Sequence, residues 1–309
     1  MNNLKTEQAS TSQSRGASRQ QRELGINVLQ YVVNAFLVFI FIFPILFMIV
    51  SSFKNNDQIF HDLRSFAAFL PTGQLSLENY ASVFAHSQFL RFAANSIGVG
   101  LLQVVLALTI NSMAAYSLSR LTWQGQQIVL AVIVATLIIP FETIAMPLLL
   151  LVSKLPNISF QNGFHFTSGW LNTYSVQILP FVAGAYSIFL FYQFFKDIPK
   201  ELDESALIDG ATRFQIYRYI IVPNAGPVFA TVAILSFLGS WNSFLWPIMV
   251  VQSEELRPVM VGLQYFFQRI INWGEVMAYT SMVTLPVLAL FLAFQGAFVK
   301  SLASSGVKG

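Results

Sequence analysis

The chain has no cysteine and few charges. Without cysteine, disulfides and thiolate metal sites fall away, and nothing reports the redox compartment. Charged residues are 10% of the 309, against about a quarter in an ordinary soluble domain, while 55% are hydrophobic. A soluble, core-rich enzyme does not have that balance. The run G-x-x-x-x-G-K-[ST] is absent, so the chain lacks the usual cradle for nucleotide phosphates. The net charge of +3 comes from scattered basic residues and marks no nucleic-acid surface. His61, His86 and His165 lack metal-ligand spacing, and no metal site is expected.

What is present is apolar length. Six runs, at 27–52, 93–118, 127–152, 174–195, 226–250 and 276–298, each hold enough residues to cross a hydrocarbon core of about 30 Å as a helix. Strand-length alternation with turn signals is missing, which argues against a membrane β-barrel. The expected fold is an all-α polytopic membrane protein with six transmembrane helices. Residues 1–26 are rich in Ser, Gln and Arg without an apolar face and read as a disordered tail. The six-span region follows over 27–299, and 300–309 form a second short tail of small residues.

Lys and Arg set the orientation. With the N-terminus cytoplasmic, the inner segments hold Lys5, Arg15, Arg19, Arg22, Arg120, Lys196, Lys200, Arg213, Arg218, Lys300 and Lys308, leaving six basic residues outside. Both termini are therefore expected inside, together with a polar segment at 196–224. The outer loops 53–92, 153–173 and 251–275 are long and read equally as ordered caps or as docking sites for a soluble partner.

The segment "ESALIDGATRFQIYRYIIVP" at 204–223 interrupts an otherwise charge-poor chain. Pro199 suits a first helical turn, and Glu201 and Asp203 follow where the helix dipole favours negative charge. Gly210 offers a left-handed position to end that helix. A second helix with Phe214, Tyr217 and Ile221 on one side should run to Pro223, which blocks continuation into the next span. Ser205, Ala206 and Ala211 leave room for another surface to approach, and Glu204 and Asp209 offer it carboxylates. An interfacial loop that merely connects two spans has the same local features.

The order Glu204-Ser205-Ala206, Asp209-Gly210-Ala211 and Ile220-Ile221-Val222-Pro223 resembles the cytoplasmic "EAA" loop of permease subunits in binding-protein-dependent ABC importers. Ser205 stands where that pattern has Ala, and Val222 where it has Leu; both keep the size small or apolar. The segments "ENYASVF", "NSIGVG", "YSLSRL", "WNSFLWP" and "SSGVKG" are similar to the shorter of the two paired permeases in maltose-type sugar importers. The resemblance runs from about residue 27 onward. It implies a second homologous permease, a cytoplasmic ATPase dimer that carries ATP and Mg, and an extracytoplasmic binding protein that delivers a sugar or oligosaccharide. It also implies residence in the bacterial inner membrane. Glu204, Ser205, Ala206, Asp209, Gly210, Ala211, Ile220 and Pro223 become the ATPase-coupling residues, and the C-terminal tail is expected to reach the ATPase. No catalytic residue and no cofactor of its own are expected on this chain.

Two further candidates lie in the spans. Glu142 in "IIPFETIAMP" is either a carboxylate paired inside the bundle near kinks at Pro140 and Pro147, or the ionisable group of an ion-gradient-driven secondary transporter. Asn242, with Trp241, Phe244 and Trp246, offers an amide among aromatic rings and is a candidate for the substrate path. The resemblance leaves open maltodextrins, other oligosaccharides, uronic-acid oligomers and glycerol phosphates. A membrane scaffold without transport is a third reading, which the kinked spans disfavour.

Overall fold

Helix length and apolarity decide which segments of this chain can cross a bilayer. The computed structural model describes residues 2–159, 165–267 and 271–306, with side chains described over 26–156, 169–267 and 271–294. In chain order the helices are α1 (Asn2–Ser51), α2 (Asn56–Asp62), α3 (Glu78–His86), α4 (Phe89–Arg120), α5 (Gln126–Ala135) and α6 (Phe141–Val152). Strands β1 (Pro156–Ser159) and β2 (His165–Ser168) follow, and then α7 (Tyr174–Ile178), α8 (Ala185–Asp197), α9 (Glu201–Ile208), α10 (Arg213–Ile216) and α11 (Val222–Asn224). The chain ends with α12 (Gly226–Trp241), α13 (Leu245–Val250), α14 (Val259–Gly262) and α15 (Trp273–Gly306).

Three stretches are long and apolar enough to span alone: Ile26–Ser51, Phe89–Arg120 and Trp273–Phe294. Three more spans arise only if each bent pair counts as one. Gln126–Ile138 and Phe141–Val152 meet at 106°, Tyr174–Phe181 and Ala185–Asp197 at 41°, and Arg213–Asn224 and Gly226–Trp241 at 82°. Three unbroken spans are therefore present among the described residues, and up to six if each bent pair is one; the last pair covers 213–241 where the expected run was 226–250.

The breaks have local causes. Ile139, held out of the helical region by the following proline, is extended at φ −82°, ψ 116°, and Pro140 continues extended at ψ 142°. Pro147, also expected to kink the span, lies within α6 without ending it. The run expected over 226–250 stops at Trp241, where Asn242 (φ −85°, ψ 3°) closes α12 before α13 begins. The two tails also differ from expectation. Residues 2–25 continue α1 as helix, consistent with their many Gln, Arg, Glu and Ala residues and no proline before Pro44. At the other end α15 runs to Gly306, and residues 307–309 of the expected tail lie outside the described residues. Within the loop 153–173 a short antiparallel hairpin, β1–β2, pairs Pro156 with Ser168 and Ser159 with His165; no strand was expected there.

The chain divides into two compact units, Met1–Tyr80 with Asn272–Ser281, and Ala81–Ile271 with Met282–Gly309. In the first, Lys54 is buried and donates to Asp62 at 2.8 Å and to the Ala67 carbonyl at 2.6 Å. Asn79 donates to the carbonyls of Ser52 and Lys54, and Gly274 lies so close to it that a Cβ there would meet the amide at 2.6 Å. The α1 residues from Ile26 to Phe41 expose Tyr31, Phe36 and Phe41 among others, as a lipid-facing helix does.

In the second unit α4 is the central post, with α8 and α12 packed against it. Small residues make that approach close: at Gly100 an added Cβ would meet the Phe237 ring at 3.1 Å. Hydroxyls on α4 are satisfied within the helix, Thr109 donating to the Val105 carbonyl and Ser119 to the Ala115 carbonyl. The core between these helices includes Tyr116, Phe191, Phe195, Ile216, Tyr217, Ile221 and Val232.

Candidate coupling loop and transport cavity

The polar loop is two short helical segments joined by a tight turn, and each part of its geometry traces to particular residues. Glu201, Asp203 and Glu204 occupy the first turn of α9. The helix ends as a Schellman turn: Gly210 N–H donates to the Leu207 carbonyl at 3.1 Å and Ala211 N–H to the Ala206 carbonyl at 2.9 Å. Gly210 has φ +83° and open space where a Cβ would go, so backbone conformation alone demands glycine. Thr212 and Gln215 then form a reciprocal capping box that starts α10. A π turn over Tyr217–Ile221 leads into α11. Pro223 sits inside this run rather than ending it, contrary to expectation. Pro223 lies in the first turn of α11, where a missing N–H costs little, and the Asn224 side chain donates to the Ile220 carbonyl at 2.8 Å. The chain bends instead at Ala225, before Gly226 and Pro227 open α12.

The loop is anchored at the Arg120 end of α4. Arg120 donates to the Ile198 carbonyl at 2.8 Å, and its Nε lies 3.6 Å from an Asp203 carboxylate oxygen. Both side chains are almost fully covered. Burial raises the Asp203 pKa above the ordinary 3.8, and Arg120 opposes that rise. Tyr116 donates to the Arg213 carbonyl at 3.0 Å, and the Tyr217 and Ser112 hydroxyls pair at 2.7 Å. Ile216, Tyr217 and Ile221 are buried in the core.

The predicted coupling residues divide between two faces. Ala206, Ala211 and Ile220 pack against the core of their own chain, so the two alanines do not form the open approach surface expected of them. Ser205 donates to the Glu201 carbonyl at 2.6 Å on the exposed side. Glu204, Asp209 and Gly210 are exposed, beside Leu207 at 38% and Ile208 at 87%. Phe214, expected to share a side with Tyr217 and Ile221, is 62% exposed. Arg120 and Asp203 were missed as a pair; their signal was a buried-type arrangement of opposite charges that lie far apart in sequence.

A cavity of about 390 Å3 lies in the second unit, lined by residues of α4, α6, α7, α8, α12 and α13. Of the four residues proposed for a substrate path, Trp246 alone lines it. Its ring meets Phe141 and Phe181 edge to face at 6.0 and 5.8 Å, and its indole N–H is spent on the Val176 carbonyl. Trp241 is buried against Phe237, while Asn242 and Phe244 are exposed at the α12–α13 break. Glu142 is likewise exposed, in the first turn of α6, with no ion-pair partner among the described residues. The expected pairing within the bundle is not made.

Two polar networks around the cavity went unread in the sequence. Asn111, buried on α4, donates to the Val182 carbonyl at 3.0 Å and accepts from Gly184 N–H at 2.9 Å. It thereby satisfies backbone groups released at the 41° break, a necessity in a low-dielectric surrounding. At the other end of α4, Asn95 donates to the carbonyls of Glu255 and Arg257 while Tyr174 donates to Asn95. Ser96 accepts from Val259 N–H. Asn172, at φ +59°, accepts from the N–H groups of Gln252 and Ser253, tying down the segment 252–259.

Residues 107–304 match the family described as the binding-protein-dependent transport system inner membrane component. The chain belongs to this family. It is similar to the arabinooligosaccharides transport system permease protein AraQ of Halalkalibacterium halodurans, 32% identical, with 89% of this chain and 94% of that one covered. It is also similar to the lactose transport system permease protein LacG of Rhizobium radiobacter, 30% identical over 90% and 96% of the two chains. A solved structure, a bacterial ABC transporter involved in the import of the acidic polysaccharide alginate, shares the fold at TM-score 0.71 and 20% identity, covering 88% and 95%. The permease is thus a multi-pass inner-membrane transport subunit. The matched stretch includes the whole of the loop built by α9 to α11. An ion-gradient transporter working through Glu142 is not favoured by this membership.

Proposed function

We propose that this permease forms, with a second homologous permease, the path for a sugar or oligosaccharide delivered by an extracytoplasmic binding protein, and that residues 196–224 couple that path to a cytoplasmic ATPase. The observation that carries the coupling role is the two-faced loop. Ile216, Tyr217 and Ile221 are locked into the core between α4 and α8, while Glu204, Leu207 and Ile208 stand exposed. A push on the outer face is therefore transmitted to the helices rather than absorbed by the loop. Glu204 meets a basic group of the ATPase in a charge-assisted contact, and Gly210 holds the turn. ATP and Mg are carried by the ATPase chain. Closure of the ATPase dimer draws two such loops together and rocks the spans between inward- and outward-open states. Both termini and the 196–224 loop are cytoplasmic in this reading, and the loop 251–275 faces outward.

Sugar as the cargo rests on the relatives, whose names give arabinooligosaccharides and lactose. The test is affinity purification of the tagged chain from membranes in mild detergent, with every co-purifying chain identified. A second permease and a nucleotide-binding ATPase are expected in stoichiometric amounts. A stable, folded chain that purifies alone and catalyses uptake without ATP overturns the proposal.

A further inference from the structure

The cavity on α4, α6, α7, α8, α12 and α13 has a lining that discriminates between substrate classes. Among the described residues that line it there is no Asp, Glu, Lys, Arg or His. Its volume of about 390 Å3 is at the low end of small-molecule sites, which run from about 300 to 1,000 Å3. One wall is the aromatic trio Phe141, Phe181 and Trp246, with all three ring pairs within 6.0 Å. The rest of the lining mixes side-chain amides and hydroxyls with apolar groups, among them Gln103, Gln177, Ser187, Ser236 and Ser243. Gln177 donates its amide N–H to the Leu256 carbonyl at 3.1 Å, which fixes the side chain and leaves its own carbonyl oxygen to accept.

We infer that this chain itself holds a subsite for an uncharged saccharide segment, one that excludes uronates and sugar phosphates. The inference rests on the import of sugar proposed above and names the class of sugar. Hydroxyls around a pyranose or furanose ring donate and accept in turn, which amides and serines match without adding charge. The apolar face of such a ring covers an aromatic wall. A carboxylate or phosphate in the same place loses its hydration, and no described lining residue supplies a cation to replace it. Arg257, which precedes the lining residue Pro258, is not itself among the described lining residues. Its guanidinium donates to the Tyr265 hydroxyl at 2.6 Å and to the Gln252 carbonyl at 3.2 Å, and lies over the Tyr265 ring.

Gly239 gives a direct handle. It lines the cavity from α12, and a Cβ added there meets nothing within 4 Å. A β-carbon is therefore tolerated at this position, and Gly239→Leu adds bulk to the lining. The experiment uses the complete importer, with both permeases, the ATPase and the binding protein, in proteoliposomes. The probes are maltose, lactose and xylobiose as neutral sugars and digalacturonate as the anion. Wild type is expected to take up at least one neutral probe and at least tenfold less digalacturonate. Gly239→Leu should lower neutral uptake at least tenfold with insertion and the thermal midpoint of the complex unchanged. Ser236→Lys, which adds a cation to the lining, should shift the neutral-to-uronate ratio at least tenfold toward the uronate. Digalacturonate uptake equal to or above every neutral probe overturns the inference, as does wild-type transport in both variants. ATP-driven uptake of none of the four by wild type sinks the sugar-import reading itself, a result distinct from uronate preference.

Discussion

Asn111 is 1% exposed, and its amide serves one carbonyl and one N–H at the break before α8. Replacing it by leucine leaves both groups without a partner in an apolar setting. Asn111→Leu should cost about 2 kcal/mol, counting lost bonds at the modest values measured within membranes, and lower the thermal midpoint of the purified complex. Arg120 presents a similar case with charge. Arg120→Leu strands the covered Asp203 carboxylate, and the expected loss is about 3 kcal/mol, the low end for a broken buried pair. The same change removes the cation that restrains the Asp203 pKa, which should rise further. Two carboxylates in the chain respond oppositely to acid. Hydrogen bonding to Lys54 holds Asp62 below its ordinary 3.8, so its stabilising effect is complete above 3.8 and disappears as the pH falls through its lower folded value. Asp203, raised by burial, binds protons more readily folded than unfolded, so the folded state gains relative to the unfolded as the pH falls through its folded value toward 3.8. Hydrogen exchange on acidification should show residues 54–70 losing protection while 200–208 do not. A protected 54–70 segment well below the Asp62 transition would contradict the role given to the Lys54 pair.

At the scale of elements, α9 and its turn were legible because their signals are local. First-turn acids and a glycine four residues after the core-facing Ala206 specify a helix and its stop without reference to the rest of the chain. Gly210→Ala should cost about 1 kcal/mol through the left-handed backbone alone, with space to spare around the new methyl. Transport should fall more than stability, since the turn sets the angle of α9; equal losses would make Gly210 a stability residue only. The breaks were less legible. Pro140 and Pro147 have the same sequence signature, but only the first lies at a helix boundary. Pro223 reads as a terminator; the helical run continues one residue past it, and the 82° bend falls between Asn224 and Gly226. The β1–β2 hairpin carries too few residues for alternation to show. Trp241 and Trp246 look equivalent in "SWNSFLWP" and both are buried, but of the two only Trp246 borders the cavity.

At the scale of the molecule, the family and the span count were legible from composition and a motif spread over twenty residues. The cavity was not, because its lining residues come from six helices and single serines and glutamines carry no pattern. The proposed orientation is testable in this cysteine-free chain. Ile208→Cys, at a position 87% exposed, should be labelled only from the cytoplasmic face, and Glu255→Cys only from outside. Labelling of position 208 in intact cells by an impermeant maleimide would reverse the topology. The central claim is that the exposed face of α9 transmits ATP-driven motion to the spans. Its most direct test is ATP-driven uptake and ATP hydrolysis by the reconstituted importer carrying Glu204→Lys, with insertion and thermal midpoint checked alongside. The account predicts that uptake and binding-protein-stimulated hydrolysis both fall at least tenfold, with insertion and midpoint unchanged. Wild-type uptake in that variant would contradict it.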